Sequence, residues 1–171
     1  MSSDSGRLAD VGSGAGFPGV PLKIVFPGLQ TTLIESTGKK TAFLDHLAGD
    51  LDLKLDVRKG RAETLAHEPD LRESFDFVTS RAVAGMAVLA ELCLPFCRVG
   101  GTVVAQKKGD IEEEIDNAGR AIDAMGGRLK EVKEVSVAGL GDGRRLVLLE
   151  KVRPTPDGYP RRPGVPAKRP L

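Results

Sequence analysis

The stretch ADVGSGAGFPG, residues 9–19, has glycines at positions 12, 14, 16 and 19, directly after a short apolar run. Glycines at this density let a ligand come close to the backbone and allow backbone angles that other residues rarely adopt. A glycine-rich turn between a buried strand and a helix is typical of the ligand-binding loops of α/β proteins. The stretch therefore predicts the first βα turn of such a domain and a nucleotide-like ligand beside it.

The rest of the chain alternates between strand-like and helix-like patterns. The strand patterns cover residues 8–11, 31–35, 53–58, 75–79 and 102–106, and the helix patterns cover 18–26, 39–51, 84–96 and 111–125. Two further strand-like runs, 129–137 and 146–152, follow with only a short loop between them. Repeated βα units form a parallel sheet with helices on both faces, whereas strands joined by a short loop pair antiparallel. The sequence thus predicts an α/β fold, a doubly wound, mostly parallel seven-stranded sheet with an antiparallel carboxyl-terminal hairpin.

Finer expectations follow from the same patterns. Val20 and Ile24 should face inward from the first helix. Phe43, Leu44, Leu47 and Leu51 should form the buried face of the second,. The glycine pair at 100–101 should break the chain before the fifth strand. Four prolines in YPRRPGVPAKRP, residues 159–170, should forbid helix there,.

The composition is that of one ordinary globular domain, with 40% hydrophobic and 29% charged residues in 171 positions,. No long apolar run predicts a membrane span, and no leader for secretion is apparent. Cys93 and Cys97 are four positions apart on a predicted helix without further suitable ligands, so we expect buried thiols and no metal site,. A cytoplasmic protein is favoured, and we expect a monomer.

The charge is distributed unevenly along the chain. Residues 151–171 carry six basic side chains against the single acid Asp157, a net charge of +5. Because the whole chain has a net charge of +1, the first 150 residues have a net charge of about −4. A basic end on an otherwise acidic domain predicts a local contact with a polyanion such as RNA.

The loop itself selects among possible ligands. A dinucleotide fingerprint requires its third glycine at position 17, which is Phe17, and the Walker pattern is absent,. Asp10 ahead of Gly12 and Gly14 would repel a pyrophosphate but suits a ligand with a cationic amino group. Glu35, at the end of the second strand, is placed to accept hydrogen bonds from ribose hydroxyls. S-adenosylmethionine combines these features.

Four segments carry a more specific resemblance: DVGSGAGFPGVPLKIVFP at 10–27, GRAE at 60–63, TSRAV at 79–83 and PTPDGYPRRPGVPAKRPL at 154–171. Together they resemble the glucose-inhibited division protein B family, class I methyltransferases that methylate N7 of a guanine in bacterial 16S ribosomal RNA. The resemblance implies that residues 8–152 form a methyltransferase domain, between a polar leader at 1–7 and a basic, proline-rich tail at 153–171. Members have a helical segment before the glycine loop, which the seven residues before Leu8 would not supply.

The resemblance also implies roles for individual residues. Gly12, Phe17, the pair Ala62-Glu63 and Arg81 would contact S-adenosylmethionine. Guanine N7 carries a lone pair and no proton, so no general base is needed, and Arg81 would orient the guanine through O6. We expect RNA contacts, in the small ribosomal subunit or in free 16S RNA, from the following cations: Lys107, Lys108, Arg144, Arg145, Arg161, Arg162, Lys168 and Arg169.

Other interpretations remain open at this point. Phe17 could be a core residue and Glu63 an ordinary carboxylate at a helix start. The tail could be disordered, as its composition alone suggests. The protein could be a methyltransferase of the same fold with a small-molecule or protein substrate, an idle RNA-binding module, or a nicotinamide-dependent oxidoreductase. The misplaced third glycine and the terminal hairpin disfavour the oxidoreductase.

Overall fold

A computed structural model describes residues 5–136 and 143–171 of the chain. Its strands are β1 (Gly6–Val11), β2 (Leu29–Glu35), β3 (Leu55–Lys59), β4 (Phe75–Arg81), β5 (Cys97–Lys108), β6 (Gly127–Glu134) and β7 (Arg144–Lys151). Its helices are α1 (Gly19–Val25), α2 (Gly38–Asp50), α3 (Ala62–Leu65), α4 (Met86–Cys93), α5 (Glu112–Ala124) and α6 (Val165–Lys168). Val137, the last residue of one predicted strand, lies outside the described residues.

The strands form one seven-stranded sheet in the order β3-β2-β1-β4-β5-β7-β6. Strands β1 to β5 are parallel, while β7 runs antiparallel to both β5 and β6. The predicted fold class is therefore confirmed. The order reverses between β1 and β4, and at such a switch point the carboxyl ends of the strands open a crevice for ligands.

The hydrophobic core is larger on one side of the sheet than on the other. Helices α4 and α5 cover an extensive cluster that includes Phe75, Val78, Leu89 and Ile122. A smaller cluster, centred on Val20, Leu33 and Leu44, lies under α1 and α2. Burying a side chain of this kind contributes about 1.5–3 kcal/mol. The larger cluster includes Val78 of β4 and Val103 and Ala105 of β5, so these two strands are anchored in it.

Two predictions about the smaller cluster are wrong. Ile24 is 55% exposed, and Phe43 and Leu51 are each 47% exposed. Among the side chains predicted to face inward from α2, only Leu44 is fully buried. Helix α2 covers the edge of the sheet near β3, where a narrow stripe of the helix suffices to cover the strands. The spacing of apolar residues in the sequence predicts which face of a helix is apolar. It does not predict how much of that face the sheet covers.

The glycine pair at 100–101 does not break the fifth strand, because β5 begins at Cys97 and continues to Lys108. The register between β4 and β5 shifts at Phe75 and Phe77 instead. A Cβ on Gly101 would lie 2.8 Å from the Asp76 carbonyl oxygen. The glycine therefore lets the irregular strand pass close to its neighbour, as glycines in bulged strands commonly do.

The proline-rich tail contains a helix, contrary to the prediction. Helix α6 is one turn long, and its N-terminal flanking residue, Gly164, has φ +81°. Pro166 lies in the first turn, where the missing N–H has no intrahelical acceptor to lose,. Prolines thus exclude a helix interior but not a helix start.

Candidate active site

The glycine loop is held against the end of β2 by its own backbone. The N–H groups of Gly12 and Ser13 both donate to the Ile34 carbonyl oxygen, at 2.9 and 3.1 Å. Gly12 has φ +74°, and a Cβ there would lie 2.5 Å from Cγ2 of Val83. Gly14 has φ +59°, and its nearest neighbour would be 3.9 Å from a Cβ. A side chain would therefore collide at Gly12, whereas a Cβ would fit at Gly14.

Asp10 lies buried beneath the loop. Its Oδ2 accepts a hydrogen bond from the Gly19 N–H at 3.0 Å, and its Oδ1 accepts one from the Thr79 hydroxyl at 3.2 Å. Burial raises the pKa of this carboxyl to about 6, although the hydrogen bonds from Gly19, Thr79 and Ser13 and the charge of Arg81 oppose the rise. Both oxygens thus have protein partners that join the loop to α1 and β4. A direct contact of Asp10 with a ligand's amino group stays a prediction.

Glu35 holds the front of the loop. Its Oε2 accepts from the Gly14 N–H at 3.0 Å and its Oε1 accepts from the Thr37 N–H at 2.8 Å. Burial alone would raise the pKa of Glu35, but hydrogen bonds from Thr37 and Gly14, with the charge of Lys40, hold it below its ordinary value. An ionised carboxylate at the end of β2 is suited to accept further hydrogen bonds from hydroxyl groups.

Glu63 lies in the first turn of α3 with its side chain only 2% exposed. Arg61 pairs with it at 2.9 Å, and the Gly164 N–H donates to the same oxygen, Oε1, at 3.0 Å. Burial favours the neutral acid, but these donors lower the pKa of Glu63 below its ordinary value. The structure therefore gives Glu63 specific partners beyond the helix dipole.

Arg81 ends β4, and its guanidinium carbon lies 5.2 Å from the centre of the Phe17 ring. Contacts of this kind between a cation and an aromatic face stabilise the cation's position. Phe17 is 48% exposed, so it does not serve as a core residue. The next residue, Ala82, has φ +54°, which a non-glycine residue adopts only under constraint from its surroundings,.

Two adjoining cavities meet at this strained turn. The first, called the loop cavity, has a volume of about 260 Å³ and is lined by Gly12, Glu35, Ala62, Glu63, Arg81 and Ala82, among others. The second, called the basic cavity, has a volume of about 550 Å³ and is lined by Arg81, Ala82, Lys107, Lys108, Arg144 and Arg145, with Glu114 as its acid. Arg81 and Ala82 belong to both linings, so a group bound in one cavity lies next to a group bound in the other.

The cations of the basic cavity are held differently from one another. Lys107 pairs with Glu114 at 2.6 Å and donates to the Ala84 carbonyl oxygen at 3.0 Å. Arg145 has a buried Nε without a hydrogen-bond partner in the described part of the chain. Glu114 also accepts from the Met86 N–H at 2.6 Å, so it joins α5 to the start of α4.

The four predicted RNA contacts of the tail do not line the basic cavity. Arg162, Lys168 and Arg169 are exposed, whereas Arg161 forms an ion pair with Glu91 at 2.6 Å. Their contact with RNA stays a prediction. Glu91 and Glu114 were not identified from the sequence as functional candidates. A lone carboxylate in the apolar run AVLAELCLPF, residues 87–96, is the signal that could have found Glu91.

Comparison with known proteins decides the family. The family model described as "GidB: rRNA small subunit methyltransferase G" matches residues 1–146. The chain belongs to this family. The resemblance drawn from the four sequence segments is thereby confirmed.

Curated members of the rRNA small subunit methyltransferase G family are similar along nearly the whole chain. The protein of that name from Dehalococcoides mccartyi is 57% identical over 96% of this chain and 71% of its own length. The one from Lactobacillus johnsonii is 48% identical over 96% of this chain and 69% of its own length. The chain thus spans about 70% of the length of these relatives.

Solved structures confirm the fold. The antibiotic-resistance methyltransferase Kmr matches with a TM-score of 0.69 at 14% identity, over 90% of each chain. M. jannaschii TYW2 in complex with AdoMet matches with a TM-score of 0.66 at 16% identity, over 89% of this chain and 72% of that one. The fold is that of class I methyltransferases, and the family's cofactor is S-adenosylmethionine, as predicted.

No helix in residues 5–136 and 143–171 is long and apolar enough to cross a membrane. No group of three or more histidine, cysteine or acidic side chains in them is arranged to hold a metal ion. Cys93 and Cys97 are both buried, and burial raises the pKa of each thiol, to about 12 for Cys97.

Proposed function

We propose that the chain transfers a methyl group from S-adenosylmethionine to N7 of a guanine in 16S ribosomal RNA, acting as a monomer. The observation that carries this proposal is the meeting of the loop cavity and the basic cavity at Arg81 and Ala82. One cavity offers backbone groups and carboxylates, and the other offers cations. A small cofactor and a polyanionic substrate would therefore lie side by side. The names of the curated relatives support ribosomal RNA as the substrate.

The loop cavity fits S-adenosylmethionine. Gly12 lines this cavity, so a ligand can reach the backbone of the loop there. Glu35 would accept the ribose hydroxyls, and the pair Ala62-Glu63 would contact the adenine. When bound, the cofactor supplies a methyl group made electrophilic by the neighbouring sulfonium. Arg81 lines both cavities and its guanidinium lies against the Phe17 ring, so Arg81 would limit the position of that methyl group.

Methyl transfer to N7 requires alignment of the guanine with the methyl group of the cofactor, and it requires no proton transfer. Guanine N7 attacks with its own lone pair, so no residue has to remove a proton. Arginine commonly reads guanine by donating to O6 and N7, and Arg81 would donate to O6 while N7 faces the methyl group. Holding two reactants in line can lower a barrier by about 7–11 kcal/mol. Arg81 is therefore the residue to which we assign the orienting role.

The basic cavity would bind the RNA backbone beside the guanine. Lys107 is held by Glu114 and the Ala84 carbonyl oxygen. Its charge is therefore already ordered at the cavity wall, and little side-chain entropy would be lost on RNA binding. The buried Nε of Arg145 would gain an acceptor if a phosphate entered. A single-stranded or distorted RNA segment would suit this cavity, since recognition of RNA commonly targets such segments.

The direct test is to incubate the purified chain with methyl-labelled S-adenosylmethionine and either small ribosomal subunits or free 16S RNA. We expect label in the RNA, and cleavage at N7-methylguanine by borohydride and aniline should locate it at one guanine. A variant with Gly12→Val serves as the inactive control. Label on another atom of the RNA would overturn the N7 assignment. Label only on protein or on small molecules would favour another substrate class.

A further inference from the structure

The carboxyl-terminal segment 153–171, called the strap below, is bonded to the body along much of its length. Arg72 donates to the carbonyl oxygens of Thr155 and Tyr159, at 2.9 Å each. His67 Nε2 lies 2.9 Å from the carbonyl oxygen of Pro160. Lys151, fully buried just before the strap, pairs with Glu73 at 3.0 Å and donates to the Thr155 hydroxyl. The strap thus has a defined path across the body.

Further along, the strap is held by an ion pair between Arg161 and the buried Glu91 of α4. The side chain of Glu91 is only 1% exposed. Arg161 donates to it through Nε at 2.9 Å, Nη2 at 2.6 Å and its backbone N–H at 2.8 Å. A buried carboxylate without its partner is strongly unfavourable, so this pair fixes the strap on α4. Leu92, next to Glu91, lines the loop cavity.

Three residues beyond Arg161, the strap reaches the wall of the loop cavity. The Gly164 N–H donates to Oε1 of Glu63 at 3.0 Å. Arg61 donates to the two oxygens of the same carboxylate, at 2.9 and 3.3 Å. Glu63 lines the loop cavity, where its orientation decides which oxygen can face a ligand. The strap therefore contributes one of the donors that orient Glu63.

We propose that the strap is a working part of the cofactor site. Arg161, anchored on Glu91, holds the Gly164 N–H against Glu63 and so positions this carboxylate for the adenosine part of S-adenosylmethionine. Arg161 is thus a positioning residue, since it acts through Glu63. By linkage, cofactor binding and strap docking must strengthen each other by the same factor. The proposal depends on use of this cofactor and not on the choice of guanine N7.

Two variants form a matched pair for the test. Arg161→Met removes the ion pair with Glu91, and Arg153→Met removes another arginine–carboxylate pair of the strap, with Asp123 at 2.6 Å. We would measure the affinity for S-adenosylhomocysteine by calorimetry, well below the melting temperature of each protein. We expect Arg161→Met to weaken binding about tenfold, within the usual range of couplings between sites. Arg153→Met should change it less than twofold. Equal losses in both variants, or no loss in Arg161→Met, would overturn the proposal.

A second measurement separates positioning from general stability. In the wild type, saturating S-adenosylhomocysteine should slow hydrogen exchange at the amides of residues 161–168, including Gly164. In Glu63→Gln this protection should be several-fold smaller. The losses of affinity in Arg161→Met and Glu63→Gln should also fail to add in the double variant, because both act through one carboxylate. Additive losses, or equal protection of the strap in Glu63→Gln, would contradict the proposal. Failure of RNA methylation alone would not affect these binding results.

Discussion

The loop cavity and the basic cavity share Arg81 and Ala82 but are built in opposite ways. The loop cavity is shaped by backbone, with Gly12 at positive φ and the carboxylates of Glu35 and Glu63 held by N–H donors. The basic cavity is shaped by cationic side chains on the ends of β5 and β7. A site built from backbone is sensitive to shape, whereas a site built from cations is sensitive to salt.

The largest effect should come from changing the shape of the glycine loop. Gly12→Val should weaken binding of S-adenosylmethionine at least about 100-fold, because a branched side chain disfavours φ +74° and would collide with Val83,. The matched control is Gly49→Ala on α2, where a Cβ would meet nothing within 4 Å. Calorimetry would give the affinities, and circular dichroism would show that both variants fold. Wild-type affinity in Gly12→Val would refute the role of the loop.

The buried carboxylate under the loop should give the protein a distinct pH dependence. The pKa of Asp10 is raised from 3.8 to about 6 in the fold, so between pH 4 and 6 the folded chain keeps a proton that the unfolded chain has lost. The contribution of Asp10 to the unfolding free energy therefore falls as the pH rises through that window, by at most about 3 kcal/mol.

Urea unfolding of the wild type and Asp10→Asn at pH 4, 5, 6 and 7 would test this. Asparagine cannot ionise, so the stability of the variant relative to the wild type should increase across the series. A difference that stays constant with pH would mean that Asp10 does not titrate in this range.

Arg81 lies where the two cavities meet and should affect the rate more than the binding of either partner. Arg81→Ala should lower the rate of methyl transfer by about 100-fold, the usual cost of losing one orienting donor. Arg81→Lys should recover little of it, since an ammonium group cannot replace a planar two-donor fork. Single-turnover rates and cofactor affinities would be measured for both. Arg120→Ala, an exposed arginine on α5, is the control. Full activity of Arg81→Lys would show that position 81 requires only a positive charge and not a guanidinium group.

The basic cavity should respond to salt. The double change Arg144→Ala with Arg145→Ala should reduce the log–log slope of RNA affinity against salt by up to about two, since each phosphate contact contributes about one. Affinity for S-adenosylhomocysteine should stay the same. Lys54→Ala, an exposed lysine beside β3, should leave the slope unchanged. If the plots of log RNA affinity against log salt concentration coincide for the double variant and the wild type, this cavity is not the RNA-binding surface.

The smallest effect is expected from Arg162, an exposed arginine of the strap. Arg162→Ala should reduce the salt slope by at most about one, because Arg162 is exposed and can reach a phosphate,. The sequence predicts the same for Arg161, but its side chain is already paired with buried Glu91. RNA affinity across a salt series would compare Arg162→Ala with the wild type. Identical slopes would restrict RNA binding to other cations.

The sequence alone determined the order of the seven strands and of four of the six helices in the described part of the chain, and the place of the glycine loop. These properties depend on residues that are neighbours in the chain: glycines that permit positive φ, apolar spacings of two or of three and four, and turns too short for anything but a hairpin. The resemblance of four short segments was enough to identify the family, which the comparisons confirm.

The tertiary structure decided which side chains are partners. Glu63 meets the Gly164 N–H across 101 positions and Glu91 meets Arg161 across 70, and no local pattern carries that information. The exposure of Phe43 and Leu51 likewise depends on how much of the sheet α2 covers. Partners and exposure depend on the packing of distant segments, which local periodicity does not specify. For this reason the tail, which the sequence predicts as a basic, proline-rich RNA contact, is in the structure a strap that reaches Glu63.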